Sequence, residues 1–202
     1  MKIIGLTGGI GAGKSTASGI LKEYGCRVID ADAISREITA DGSEALNSIA
    51  DIFGKQYVVN GSLDRKALGR LVFSDKNALV KLQALITDRV AEQIVNDVER
   101  LKKEKKTDIL VIDAPLLFEC GLDRITDENW LVSSDMDVRI KRVAERDGLS
   151  EQEIIRRINN QMSDDDKKRN SQLVLDNSGT VDMLRKQIKD QLERIKNEIQ
   201  QD

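Results

Sequence analysis

Five short apolar runs punctuate the chain, at 2–6, 26–30, 108–112, 129–133 and 172–175, each rich in Ile, Leu and Val and short enough to be a strand. Longer helix-period patterns lie between them. Strands that alternate with helices predict a parallel five-stranded sheet covered on both faces, a three-layer α/β fold. The last helix is the clearest, because Val181, Leu184, Ile188, Leu192, Ile195 and Ile199 recur three or four apart and form one apolar stripe on a charged segment. The stretch from 31 to 107 is far longer than one crossover helix needs. It reads as an inserted helical subdomain with a long charged helix at about 76–105. A second charged excursion, 148–170, separates the fourth and fifth strands.

Directly behind the first run, Gly8-Gly9-Ile10-Gly11-Ala12-Gly13-Lys14-Ser15-Thr16 fits G-x-x-x-x-G-K-[ST] between a strand and a helix. Glycines let such a backbone aim several N–H groups at one anion, and the helix behind adds the positive end of its dipole. Residues Gly11, Ala12, Gly13, Lys14, Ser15 and Thr16 are therefore candidate ligands of a nucleoside triphosphate. Lys14 can reach the outer phosphates, and the Ser15 hydroxyl is placed to complete the shell of a Mg²⁺ ion.

Composition narrows the chemistry further. The chain has 202 residues, 32 Lys and Arg against 35 Asp and Glu, and a net charge of -3, so no global positive field favours nucleic acid. Neither a signal peptide nor a membrane span is legible, and a cytoplasmic protein is expected. Cys26 and Cys120 form no C-x-x-C pair and read as reduced hydrophobes. With no histidine in the chain, acid–base work falls to carboxylates, with lysine and arginine for charge. The Lys102-Lys103-Glu104-Lys105-Lys106 run ends a helix, where cations suit the dipole, and reads as a solvated end.

Ligands of open parallel sheets gather beyond the carboxyl ends of the strands. Asp30 and Asp32 follow the second strand and Asp113 ends the third, so their side chains converge with the glycine loop if these strands are neighbours. Asp32 is a candidate base for phosphoryl transfer, able to accept the proton of an attacking hydroxyl; it is equally placed to cap the helix that begins near Ala33. Asp113 either holds Mg²⁺ through water or simply ends a strand. In the helix from about 136, Met136, Ile140, Val143 and Ala144 share one face and Arg139, Arg142 and Arg146 another. Those arginines form either a phosphate-closing stripe or an ordinary solvated face.

Together, Thr7 to Thr16, Val28-Ile29-Asp30-Ala31-Asp32, Gly61-Ser62-Leu63-Asp64-Arg65, Pro115-Leu116-Leu117-Phe118-Glu119 and Asp176-Asn177-Ser178-Gly179 resemble the dephospho-CoA kinase family, in that family's order and over nearly the whole chain. The resemblance implies a P-loop kinase that transfers the ATP γ-phosphoryl to the ribose 3′-hydroxyl of dephospho-CoA, with ATP and Mg²⁺ required and Asp32 as base. It implies a nucleotide-binding core at 1–32, 106–140 and 171–202, a helical CoA-binding domain at 33–105 and a lid at 141–170. It also makes Arg142 a contact to ATP and Asn177 a contact near the adenine. Where family members carry His-Pro near the start of the long helix, this chain reads Leu85-Ile86-Thr87-Asp88, which touches the acceptor side and not the nucleotide loop. Glu119 receives no role. Another small-molecule kinase, of the nucleoside monophosphate type, is the nearest alternative. A GTP-driven switch is disfavoured, because the chain has no Asn-Lys-x-Asp. A monomer or weak homo-oligomer is expected.

Overall fold

The structure, a computed structural model, describes residues 1–104 and 107–201, so Lys105 and Lys106 of the lysine run lie outside the described residues. The elements are β1 (Lys2–Gly8), α1 (Lys14–Glu23), β2 (Arg27–Asp30), α2 (Ala31–Ile38), α3 (Glu44–Phe53), β3 (Val58–Val59), β4 (Ser62–Leu63), α4 (Arg65–Ser74), α5 (Lys76–Glu104), β5 (Ile109–Asp113), β6 (Glu128–Ser133), α6 (Met136–Asp147), α7 (Glu151–Asn159), α8 (Asp164–Arg169), β7 (Leu173–Asp176) and α9 (Val181–Gln201). By contacts the chain divides into two compact units, one made of Met1–Asp30 with Asp97–Asp202 and the other of Ala31–Asn96.

The first unit holds the predicted five-stranded sheet, in the order β2-β5-β1-β6-β7, with every pairing parallel. β5 is buried along its whole length, which a strand achieves only when both faces of its sheet are covered. One face packs on α1 and α9: Ile20, Leu21, Leu184, Ile188, Leu192 and Ile195 close over Ile4, Leu6, Val111 and Trp130. The stripe read from the last helix is that face, although Val181 at its start is exposed. The order brings β1, β5 and β2 side by side, with Asp113 in register with Leu6 on one side and Asp30 on the other. The first three predicted strands are thus neighbours and end together.

The second unit is helical, with one core cluster of Ile49, Leu68, Val72 and Ala78 flanked by half-buried Phe53, Leu71, Leu82 and Ile86, and with Leu46 and Ile94 also buried. It also contains a two-stranded hairpin that the hydrophobic pattern did not reveal, β3 with β4. Its turn is Asn60-Gly61, with φ of 52° and 81°, the left-handed pair that a tight two-residue hairpin requires. α5 begins at Lys76, so Leu85 to Asp88 fall well inside it and not near its start as expected.

Candidate functional site

The glycine loop leaves β1 at Gly8 and enters α1 at Lys14. Gly13 has φ +90°, and a Cβ there would overlap the Asn177 amide, so both backbone and space demand glycine. α1 has no side-chain cap and no acidic residue in its first turn. The Thr16 N–H turns back to the Gly13 carbonyl at 3.0 Å, and with no side chain capping the turn the helix start is of the kind that suits an external anion. Lys14 turns back toward the sheet and its Nζ forms an ion pair with Asp113 Oδ1 at the end of β5. Ser15 is exposed, and among the described residues no cluster of three or more Cys, Asp or Glu could hold a metal ion. That donor set fits Mg²⁺, which keeps most of its waters and takes one protein hydroxyl beside substrate phosphates.

Around the outside of the loop, side chains from later elements take its carbonyl groups. Asn177 Nδ2 and Ser134 Oγ donate to the Ala12 carbonyl at 2.8 and 3.2 Å. Arg139 Nε donates to the Ile10 carbonyl at 2.8 Å, and the Ile10 N–H donates to Gln161 Oε1 at 3.1 Å. Arg142 spans Ser134 Oγ at 3.0 Å and the Asn177 carbonyl at 2.9 Å. Asn177 is buried, and its amide grips the loop.

The arginine stripe of α6 thus splits into three environments. Arg139, expected on a phosphate-closing or solvated face, is 2% exposed and paired with Asp164; Arg142 is half-buried at the loop; Arg146 is exposed and binds its neighbour Asp147. Met136, read on one face with Ile140, Val143 and Ala144, is exposed. The buried face is instead Arg139 with Val143, one helical turn apart.

Lys167 was not legible in the sequence, because Asp164-Asp165-Asp166-Lys167-Lys168-Arg169 reads as a solvated charge run. In the structure it is fully buried, with Nζ 3.4 Å from the Pro115 carbonyl and 4.0 Å from Glu119 Oε1. Burial pushes its ammonium below the usual lysine range, a shift opposed by Glu119 and Asp164 and reinforced by Arg139 and Lys14. Glu119 also accepts the Met162 N–H at 3.2 Å, so it fastens the segment ahead of α8 to the loop after β5.

Asp32 lies in the second unit. α2 begins at Ala31, so Asp32 is exposed within its first turn and does not stand ahead of the helix as a cap would. In the same unit Arg65 donates to Thr39 Oγ1 at 2.7 Å and to the Arg36 carbonyl at 3.3 Å. Burial, and then the nearby Arg36 charge, lower its pKa.

The family description "Dephospho-CoA kinase" matches residues 2–183. The chain is 43% identical to the dephospho-CoA kinase of Symbiobacterium thermophilum, over 93% of this chain and 79% of the relative. It is 39% identical to that of Carboxydothermus hydrogenoformans, over 93% and 91%. Among solved structures, a dephospho-CoA kinase from Campylobacter jejuni superposes with a TM-score of 0.70 at 25% identity, over 96% of this chain and 98% of that one. A shikimate kinase from Acinetobacter baumannii shares the fold, with a TM-score of 0.57 at 11% identity, over 98% and 94%. With its nucleotide loop, its parallel sheet and these full-length likenesses, the chain belongs to the dephospho-CoA kinase family, transferases that phosphorylate dephospho-CoA in the last step of coenzyme A biosynthesis.

Proposed function

We propose that the donor is ATP with Mg²⁺, that residues Gly11 to Thr16 cradle its phosphates, and that Asp32 is the base for the acceptor. The ribose 3′-oxygen of dephospho-CoA attacks the γ-phosphorus, the new O–P bond forms as the bond to the β,γ-bridging oxygen breaks, the hydroxyl proton passes to Asp32, and ADP leaves. Lys14 exchanges Asp113 for the outer phosphates as charge builds on them. Ser15 would hold the Mg²⁺, which when bound neutralises the phosphate oxygens. Arg142 contacts ATP, and Asn177 serves the nucleotide by fixing the loop near the adenine end. The observation that carries this reading is the uncapped start of α1 beside the Lys14–Asp113 pair, an anion site whose lysine is parked on a carboxylate.

The acceptor is assigned to residues 33–105, where Arg36 and Arg65 suit a diphosphate. A nucleotide core at 1–32, 106–140 and 171–202 completes that division. Within the lid expected at 141–170, the moving part is α7, entered through Gly148 at φ +66° and left at Asn160; residues from 161 to 167 are fastened to the core by Gln161, Asp164 and Lys167. No helix of the described residues is long and apolar enough to cross a membrane. We place the enzyme in the cytoplasm as a monomer or weak homo-oligomer. A coupled ADP-release assay tests the reading, with turnover expected for dephospho-CoA and only background for AMP, CMP, UMP or no acceptor. Faster turnover with a nucleoside monophosphate would overturn it.

A further inference from the structure

The peptide groups flanking Ile10 are held by side chains of later elements. Arg139 takes the Ile10 carbonyl and Gln161 accepts the Ile10 N–H, while Arg139 Nη1 is paired with Asp164. Gly9 lies against this joint. A Cβ on it would overlap Arg139 Nη2 and come within 3.1 Å of Asp164 Oδ1. Arg139 Nη2 is buried with no hydrogen-bond partner, so the guanidinium is retained there despite an unmet donor. In a trans peptide a carbonyl turned outward turns the N–H of the same peptide inward, so holding the Ile10 carbonyl from outside aims the Gly11 N–H into the loop before a phosphate arrives. Gln161 and Asp164 both belong to the segment at 141–170 that the family resemblance assigns to a lid.

We infer that Arg139 is a positioning residue for the nucleotide, and that with Gln161 and Asp164 it makes the 161–164 segment part of the phosphate cradle's support. The inference rests on the loop being the ATP site. Asp164 is partly exposed while Arg139 is enclosed, so the two partners are not equivalent: loss of Asp164 strands a buried guanidinium, whereas loss of Arg139 leaves a carboxylate that water can reach.

The test uses Arg139→Lys, Asp164→Asn, Gln161→Ala and Gly9→Ala, with Mg·ATP binding by calorimetry, steady-state KM values and unliganded melting temperatures. Calorimetry needs no acceptor, so wild-type ATP binding without dephospho-CoA turnover would sink the functional reading and leave this inference standing. The expected result is a rise in Kd and KM for ATP of about tenfold for Arg139→Lys and Gly9→Ala, the size of one charge-assisted hydrogen bond, with KM for dephospho-CoA within about twofold. The Gly9→Ala/Arg139→Lys double variant should be no worse than the poorer single variant, because both break the same joint. Gln161→Ala removes only one bond at a half-buried site and keeps the inference open to refutation if the arginine variant fails to fold. A lower melting temperature with unchanged ATP affinity would make Arg139 a packing residue and overturn the inference. Equal rises for both substrates would overturn it as well.

Discussion

The two compact units differ in how they are held. Around the nucleotide loop, backbone carbonyls are bound by Arg139, Asn177 and Ser134, and beneath it lies a core whose Ile4, Leu6, Leu21 and Ile188 are fully enclosed. The unit at Ala31–Asn96 encloses Leu46, Ile49 and Ile94 as well, but around Leu68, Val72 and Ala78 most of the apolar side chains packed against them remain half-exposed. The difference teaches where precision is stored. Phosphoryl transfer needs fixed donors at the nucleotide, whereas a region packed by half-exposed side chains has the lower local stability expected of a part that adapts to a ligand.

The comparison is broken most severely at Lys14. Lys14→Ala is expected to lower kcat by about 10³-fold, the scale of removing a positioned transition-state donor, as measured in the coupled assay. It also strands the Asp113 carboxylate, of which only 6% of the side chain is exposed. The single variant should therefore melt early, and Lys14→Ala/Asp113→Asn should regain melting temperature without regaining kcat. Recovery of both would mean that Lys14 acts only through Asp113.

Asp32 carries the corresponding test for the helical unit. Asp32→Asn preserves size and keeps a polar group in the first turn of α2, but cannot take a proton. A loss in kcat of about 10²-fold is expected with ATP affinity retained in calorimetry. A variant with normal turnover and a lowered melting temperature would return Asp32 to a purely helical role.

Much of the core was readable because its signals are local. A strand with four successive apolar residues, Ile109 to Ile112, a glycine loop at fixed spacing and a six-member apolar stripe in α9 each declare themselves within one element. The α6 arginines show where that stops. Spacing correctly put Arg139, Arg142 and Arg146 on neighbouring helical positions, but burial of Arg139 depends on Asp164, 25 residues away, and on Ile10 at the other end of the chain. Lys167 was hidden for the same reason, since its partners Pro115 and Glu119 belong to a distant loop. The β3–β4 hairpin is a different case: Asn60-Gly61 was a local signal, lost because strands of two residues leave no alternation to read.

Core truncation sharpens the contrast by a smaller amount. Leu21→Ala, in the enclosed core, is expected to cost about 4 kcal/mol, and Leu68→Ala, whose half-exposed neighbours can settle into the space, about 2 kcal/mol, both within the usual range for such changes. Urea unfolding followed by hydrogen exchange in each unit measures this. If the two variants lose equal stability, the helical unit is as tightly packed as the sheet.

The smallest expected effect concerns acid. Glu128, on β6, accepts Trp130 Nε1 at 3.1 Å, binds Arg194 of α9 at 2.6 Å and lies 3.4 Å from Lys2 Nζ. Burial by itself raises a carboxyl pKa, but the bonds from Arg194 and Trp130 and the charges of Arg194 and Lys2 outweigh it, so the folded value lies below the ordinary 4.5. A carboxylate with a depressed folded pKa adds stability that is fully present above its unfolded value and is lost as pH falls through the folded one. Glu128→Gln should thus melt about 2–4 °C below the wild type at pH 7, a loss of about 1 kcal/mol in a chain of this size, and the gap should close as both are titrated below pH 4.5. Because Glu128 ties α9 to the sheet, the neutral-pH loss should appear as faster exchange in β6 and α9 and leave the helices at 44–74 unchanged. A gap that does not narrow as the pH falls below 4.5, or that spreads evenly over both units, would mean that shape and not charge holds this joint.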